Sequence, residues 1–123
     1  MCIRDSNGVT YAVRSIAQYK DKNIFIFGGG DSALDWTVEL SKVAKSVSLV
    51  HRRDAFRGAQ HTEEMMRDLV KKGDVNLLTP YLIDSIIGEQ KVTEVTLKNF
   101  ETNEVNSYEA DELIFLFLSL IHI

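Results

Sequence analysis

The chain has 123 residues, of which 45% are hydrophobic and 26% are charged, a composition that fits one globular domain and excludes two nucleotide-binding domains in series. The net charge of −4 excludes a molecule whose overall field attracts nucleic acid or an anionic membrane, so a basic cluster must act locally. Cys2 is the only cysteine, which excludes an internal disulfide framework. The longest apolar run is shorter than the roughly 20 residues of a bilayer span, which excludes a transmembrane helix.

The first half of the chain predicts a strand, a helix and a second strand. Residues 23–27, NIFIF, are β-branched and aromatic and stop at three glycines, as a buried parallel strand does. From Asp31 to Ala44 the apolar residues recur at helical spacing, and Asp31 or Ser32 is expected to cap the helix. Residues 46–51, SVSLVH, predict the next strand. These elements form a βαβ unit, which is almost always a right-handed crossover.

A second helix is predicted over residues 62–72, and a third strand, VNLLT, over residues 75–79. The helix has its acidic residues in the first turn and lysines in the last, as the helix dipole favours. Its predicted buried face consists of Met65, Met66, Leu69 and Val70.

The pattern then changes to three short alternating segments, which predict an antiparallel meander. Turns are expected near residues 88–90 and 101–103, and residues 111–117, DELIFLF, predict a last buried strand. The whole order predicts an α/β fold, a Rossmann-like parallel sheet with a three-stranded antiparallel β-meander crossover.

Gly28, Gly30 and Ala33 match the spacing G-x-G-x-x-A between the predicted strand and helix. The first glycine permits the tight turn, the second leaves room for a pyrophosphate, and the small third residue lets helix and strand pack closely. The helix N-terminus then offers its free N–H groups to the phosphates. The alternative is a purely structural glycine turn, and a carboxylate at Asp31 would repel an anion unless its side chain turns away.

The segment LVHRRDAFR places a histidine and three arginines directly after the second strand. NAD-specific sites have an acidic residue there for the ribose 2′-hydroxyl, whereas a 2′-phosphate requires cations. Arg52, Arg53 and Arg57 therefore predict NADPH binding, because guanidinium groups match phosphate geometry. The alternative is a solvated charge run. His51 either joins the cluster or packs beneath the adenine side.

The motifs GGGDSALDW and VHRRDAFR resemble the NADPH domain of thioredoxin-reductase-like flavoproteins. Within these proteins the chain is most similar to the bacterial ferredoxin (flavodoxin)–NADP reductases, over about residues 8–117. The resemblance implies that Arg52, Arg53 and Arg57 hold the 2′-phosphate. It also implies that the turn holding the pyrophosphate is lined by Gly29, Gly30, Asp31 and Ser32.

Two features separate this chain from the thioredoxin reductases themselves. Those enzymes carry a redox CxxC shortly before the first strand of this domain, whereas residues 8–22 contain no cysteine. The residues LDW, which include Asp35 and Trp36, are typical of the ferredoxin-reductase branch. A thioredoxin-reductase-like domain without CxxC, and a non-catalytic NADPH-binding module, remain the alternatives.

The resemblance implies an intact enzyme that passes a hydride from NADPH to FAD and then electrons to ferredoxin or flavodoxin. It also implies a homodimer, and we expect a cytoplasmic protein with neither nucleic acid nor membrane as partner. The family's FAD-binding segments flank this domain and are not recognised here, so we expect a fragment that is inactive alone. No residue is predicted to be a catalytic acid, base, nucleophile or metal ligand.

Both ends of the chain are similar to translated sequencing-adapter sequence. Residues 1–6, MCIRDS, and 119–123, SLIHI, are therefore expected to be foreign. Residues 7–118 are expected to form the NADP(H)-binding domain.

Overall fold

The computed structural model describes residues 9–10, 19–28, 30–52, 56, 60–88, 92–99 and 101–116. Within these ranges the chain forms two helices and eight strands, which are arranged in two sheets. Neither of these helices is long and apolar enough to cross a membrane. The helices are α1 (Asp31–Leu40) and α2 (Gln60–Lys72), and the strands are β1 (Val9–Thr10), β2 (Asn23–Phe27), β3 (Ser46–Val50), β4 (Val75–Leu78), β5 (Tyr81–Ile87), β6 (Glu94–Asn99), β7 (Glu104–Glu109) and β8 (Glu112–Phe115).

The larger sheet is parallel, with the strand order β1-β8-β2-β3-β4. The chain moves outward from β2 to β4 in one direction, whereas β8 returns to the other side of β2. Phe27 pairs with Val50 of β3 and with Phe115 of β8, so the carboxyl ends of these strands are level. The order of the strands therefore reverses at β2, the place where open α/β sheets bind ligands.

The smaller sheet is the antiparallel meander β5-β6-β7, which lies in the chain between β4 and β8. The predicted fold class is thus confirmed. The predicted turn at residues 101–103 is also confirmed, since Asn99 Oδ1 accepts the N–H groups of Glu101 and Thr102 and Asn103 has a φ of 65°. At the other predicted turn, Gly88 has a φ of 154°, and residues 89–91 lie outside the described ranges.

Two apolar clusters pack against opposite faces of the parallel sheet. Because side chains alternate along a strand, Ile24 and Ile26 of β2 join one cluster with the two helices, whereas Phe25 and Phe27 join the other. The second of these clusters includes Leu97 and further residues of the meander. The described chain is therefore layered, with helices on one face of the parallel sheet and the meander on the other.

A polar cluster fixes the amino ends of the central strands. Asp111 Oδ2 accepts the backbone N–H of Asn23 at 2.8 Å, and Ser46 Oγ donates to Asn23 Oδ1 at 2.8 Å. Lys22 pairs with Glu112 at 3.2 Å. Since these bonds link β2, β3 and β8 at one end, they support the register that makes the opposite ends level.

The prediction that Asp31 or Ser32 caps the start of α1 is wrong. Gly30 is the N-cap residue, and no side chain caps it. The extended backbone of Gly30 leads directly into the helix, and its carbonyl accepts the N–H of Leu34 at 3.1 Å. The helix also ends earlier than predicted, at Leu40. Beyond it the N–H groups of Lys42 and Val43 donate to the carbonyls of Glu39 and Leu40, three residues back, so the chain continues in tighter turns.

The predicted buried face of α2 is correct only in part. Met66 is fully buried, whereas Met65 is 40% exposed. Leu69 and Val70 are half-buried against the helix-side cluster. Adjacent residues on a helix point about 100° apart, so a face centred on Met66 turns Met65 toward solvent.

Candidate functional site

Gly28 forms the exit from β2 and has a φ of +150°. A Cβ atom there would lie 2.9 Å from the backbone oxygen of Leu116 and 3.4 Å from the Cβ of Ala33. Its own N–H donates to the carbonyl of Val50 at 3.2 Å. The turn is therefore enclosed by backbone on two sides and leaves no space for a side chain.

The start of α1 lies directly beyond this turn. Gly30 caps the helix, Ser32 is exposed in its first turn, and Ala33 is completely buried against the strand exit. The first backbone N–H groups of a helix have no partner within it and carry the positive end of its dipole. This helix end can therefore bind an anion in front of the turn. Gly29 and the side chain of Asp31 lie outside what the structure describes.

His51 directly follows β3 and is held by its backbone. Its N–H donates to the carbonyl of Leu78 at 3.1 Å, and its carbonyl accepts the N–H of Tyr81 at 3.0 Å. Arg52 follows it and is exposed. The structure thus brings His51 and Arg52 to the same edge of the sheet as Gly28, because Val50 is bonded to that glycine. Arg53 and Arg57 lie outside the described residues.

A cleft of about 380 Å³ opens at this edge, beyond the carboxyl ends of the central strands. The rings of Phe27 and Phe115 stack in its wall, with centroids 4.7 Å apart and an angle of 20°. It is lined by Phe27, Val50, His51, Arg52, Tyr81, Leu82, Ile83 and Phe115. An apolar wall with a guanidinium group at its rim suits a flat ring system that carries an anionic substituent.

Sequence reasoning missed the contributions of Tyr81, Ile83 and Phe115 to this cleft. The available signal was positional, since Phe115 ends a parallel strand and the carboxyl ends of parallel strands meet at one edge. Tyr81 and Ile83 belong to the meander, whose docking against the sheet was not predicted.

Tyr108 neighbours Tyr81 beside this cleft. Burial raises the pKa of the Tyr108 phenol above its ordinary value, and the charge of Tyr81 raises it further. Tyr108 is therefore a neutral hydroxyl near pH 7. In the part of the chain that the structure describes, no group of three or more His, Cys, Asp or Glu residues is arranged to hold a metal ion.

Comparison with known proteins agrees with this geometry. A family model described as pyridine nucleotide-disulphide oxidoreductase matches residues 23–105, which include both sequence motifs. The ferredoxin–NADP reductase of Ehrlichia ruminantium (strain Gardel) is 41% identical over 114 residues, which are 92% of this chain and 34% of that protein. The ferredoxin–NADP reductase of Bradyrhizobium diazoefficiens is 44% identical over 99 residues, 80% of this chain and 29% of that protein.

Among solved structures, the thioredoxin reductase of Streptococcus pyogenes MGAS5005 superposes with a TM-score of 0.80 at 28% identity. The match covers 91% of this chain and 36% of that one. The chain thus spans about a third of the length of the curated relatives it matches. These comparisons confirm the resemblance to the thioredoxin-reductase-like ferredoxin–NADP reductases.

Proposed function

Because the chain belongs to the pyridine nucleotide-disulphide oxidoreductase family, we propose that residues 7–118 are the NADPH-binding domain of a flavoprotein reductase. The observation that carries the proposal is the meeting of the enclosed glycine turn and the exposed Arg52 at one edge of the sheet, joined through Gly28 and Val50. A pyrophosphate and a ribose 2′-phosphate are features of one ligand, NADPH, and the two parts of the site fit them.

In this proposal the turn and the helix N-terminus bind the pyrophosphate. The residues at this position are Gly28, Gly29, Gly30, Asp31, Ser32 and Ala33. The lack of space for a Cβ at Gly28 fits the tight turn that the first glycine of this motif forms between strand and helix. The backbone N–H groups at the start of α1 supply donors, so the protein offers dipoles where the ligand has negative charge.

The basic cluster selects the 2′-phosphate. Arg52, Arg53 and Arg57 donate to its oxygens, and His51 lines the adenine side, in keeping with its position in the wall of the cleft. Charge-assisted hydrogen bonds from these groups are worth about 1.5–3 kcal/mol each. Their sum favours NADPH over NADH, which has only a hydroxyl at this position.

Bound NADPH supplies a hydride for FAD, and electrons then pass to ferredoxin or flavodoxin. The role of this chain is to bind and orient the nucleotide, since the flavin performs the redox chemistry. The proposal of ferredoxin rests on the names of the curated relatives, which are ferredoxin–NADP reductases, and that of flavodoxin rests on the family resemblance of the two sequence motifs. We further propose that the intact protein is a cytoplasmic homodimer.

A thioredoxin-reductase-like function is the second candidate, favoured by the superposition on the Streptococcus pyogenes enzyme. Against it, residues 8–22 contain no cysteine, although the enzymes of that branch carry a redox CxxC just before β2. Both candidates require NADPH at the same edge of the sheet. They differ in the electron acceptor and not in the nucleotide site.

Thermal unfolding of the chain with 2′,5′-ADP or with 5′-AMP tests the nucleotide site. The two ligands differ by the 2′-phosphate alone, and a ligand that binds the folded state raises the unfolding midpoint. We expect 2′,5′-ADP to raise the midpoint clearly more than 5′-AMP at the same concentration. Equal shifts contradict a phosphate-reading role for the arginines, and no shift with either ligand contradicts the nucleotide site.

A further inference from the structure

Helix α2 reaches the basic segment through a stack of side chains centred on Phe56. The guanidinium carbon of Arg67 lies 5.4 Å from the centroid of the Phe56 ring. The centroid of the His51 ring lies 5.3 Å from the same point, with the two rings at an angle of 31°. Glu63 Oε2 accepts a hydrogen bond from Arg67 Nε at 2.9 Å. We call Glu63, Arg67, Phe56 and His51 the Phe56 stack.

The Phe56 stack joins a rigid element to the segment that follows β3. Phe56 is half-buried against the helix-side core. Arg67 and Glu63 are four residues apart on one face of α2, where side chains meet. The carboxylate therefore directs the guanidinium, and the guanidinium lies over the face of the ring in a cation–π contact.

Chain connectivity carries this restraint to the proposed phosphate-binding residues. Arg52 directly follows His51 in the chain, and Arg57 directly follows Phe56. Consecutive Cα atoms are about 3.8 Å apart, so holding His51 restricts where the backbone of Arg52 lies. Groups ordered before the ligand arrives lose less conformational freedom when it binds.

We propose that Arg67, held by Glu63 and acting through Phe56, is a positioning residue for the selection of the 2′-phosphate. This inference rests on the proposed function, because it assumes that the basic cluster binds that phosphate. Arg67 acts on the specificity for NADP+ over NAD+ and has no part in binding the pyrophosphate.

A different explanation for any effect of Arg67 is long-range attraction between its charge and the phosphate. The two explanations make opposite predictions for Glu63. Loss of its carboxylate removes a negative charge near an anion, so attraction alone predicts tighter binding. Positioning predicts weaker binding, because Arg67 loses the acceptor that directs it onto Phe56.

The decisive experiment compares Glu63→Ala with Glu64→Ala by calorimetric titration of the chain with NADP+ and NAD+. Glu64 is exposed and adjacent on the same helix, so both variants lose the same charge at the same end of α2. We expect Glu63→Ala to weaken NADP+ binding by about 3- to 10-fold and leave NAD+ binding unchanged. Glu64→Ala should not weaken either. Equal behaviour of the two variants overturns the proposal.

Substitutions within the stack provide a rescue test. Phe56→Tyr keeps the ring and should keep the wild-type preference for NADP+ over NAD+, whereas Phe56→Leu should lower it. Arg67→Met should lower the preference, and Arg67→Lys, which retains a cation, should restore part of it. An unchanged preference in Arg67→Met contradicts the proposal. If Phe56→Leu does not fold, the Glu63 and Glu64 variants on the helix surface decide.

The wild-type titration separates failure of the two proposals. If the wild-type chain binds NADP+ and NAD+ equally, the proposed function loses its phosphate site. If the wild type prefers NADP+ and every variant keeps that preference, the basic cluster is correct and the positioning role of Arg67 is wrong.

Discussion

Gly28 shows how an absent side chain shapes the site. Its φ of +150° is strained for other residues, and a Cβ atom at this position would lie only 2.9 Å from the Leu116 oxygen. The spacing of Gly28, Gly30 and Ala33 is sufficient to predict this turn, since each position has a steric requirement. By contrast, residue preference favours a polar cap at Asp31 or Ser32 and cannot detect that the extended Gly30 takes that place.

Replacing Gly28 by alanine tests the steric argument. We expect Gly28→Ala to lower the free energy of unfolding by about 3 kcal/mol or more, since backbone strain and overpacking add. Gly73→Ala is the matched control, because Gly73 has a φ of +88° but nothing within 4 Å of its Cβ position. That variant should lose only about 1 kcal/mol. Urea unfolding measures both, and a loss at Gly28 no larger than at Gly73 contradicts the close approach.

At the scale of elements, the alternating meander packs one face against the strands that end at the cleft. Its three strands are predictable from alternation and turn residues, which are local signals. Its docking onto Phe25 and Phe27 was not predicted, because that contact joins segments far apart in the sequence. The early end of α1 was missed because apolar residues continue at helical spacing to Ala44, although the backbone bonds after Leu40 change to partners three residues back.

The inward face of the meander should contribute most of its stability. Leu97 of β6 is fully buried, whereas Val105 of β7 is 49% exposed. We expect Leu97→Ala to lower the free energy of unfolding by about 2–5 kcal/mol. Val105→Ala, on the same sheet, should change it by less than about 0.5 kcal/mol. Similar losses in the two variants, measured by urea unfolding, would show that the meander does not bury this face.

At the scale of the whole chain, an acidic molecule carries an exposed cation, Arg52, at the edge of its sheet where the central strands end. The net charge of −4 gives no general attraction for anions, so phosphate selection must come from local geometry. Sequence patterns predict this geometry as far as the βαβ unit and the position of Arg52. They do not predict the cleft, since its walls come from four separate strands.

The crystal structure of the chain with NADP+ tests the central claim most directly. We expect Arg52 to donate to the 2′-phosphate at about 2.7–3.2 Å, and the pyrophosphate to lie at the Gly28–Gly30 turn and the start of α1. A nucleotide bound with its 2′-phosphate away from Arg52, or with its pyrophosphate away from that turn, would contradict the account.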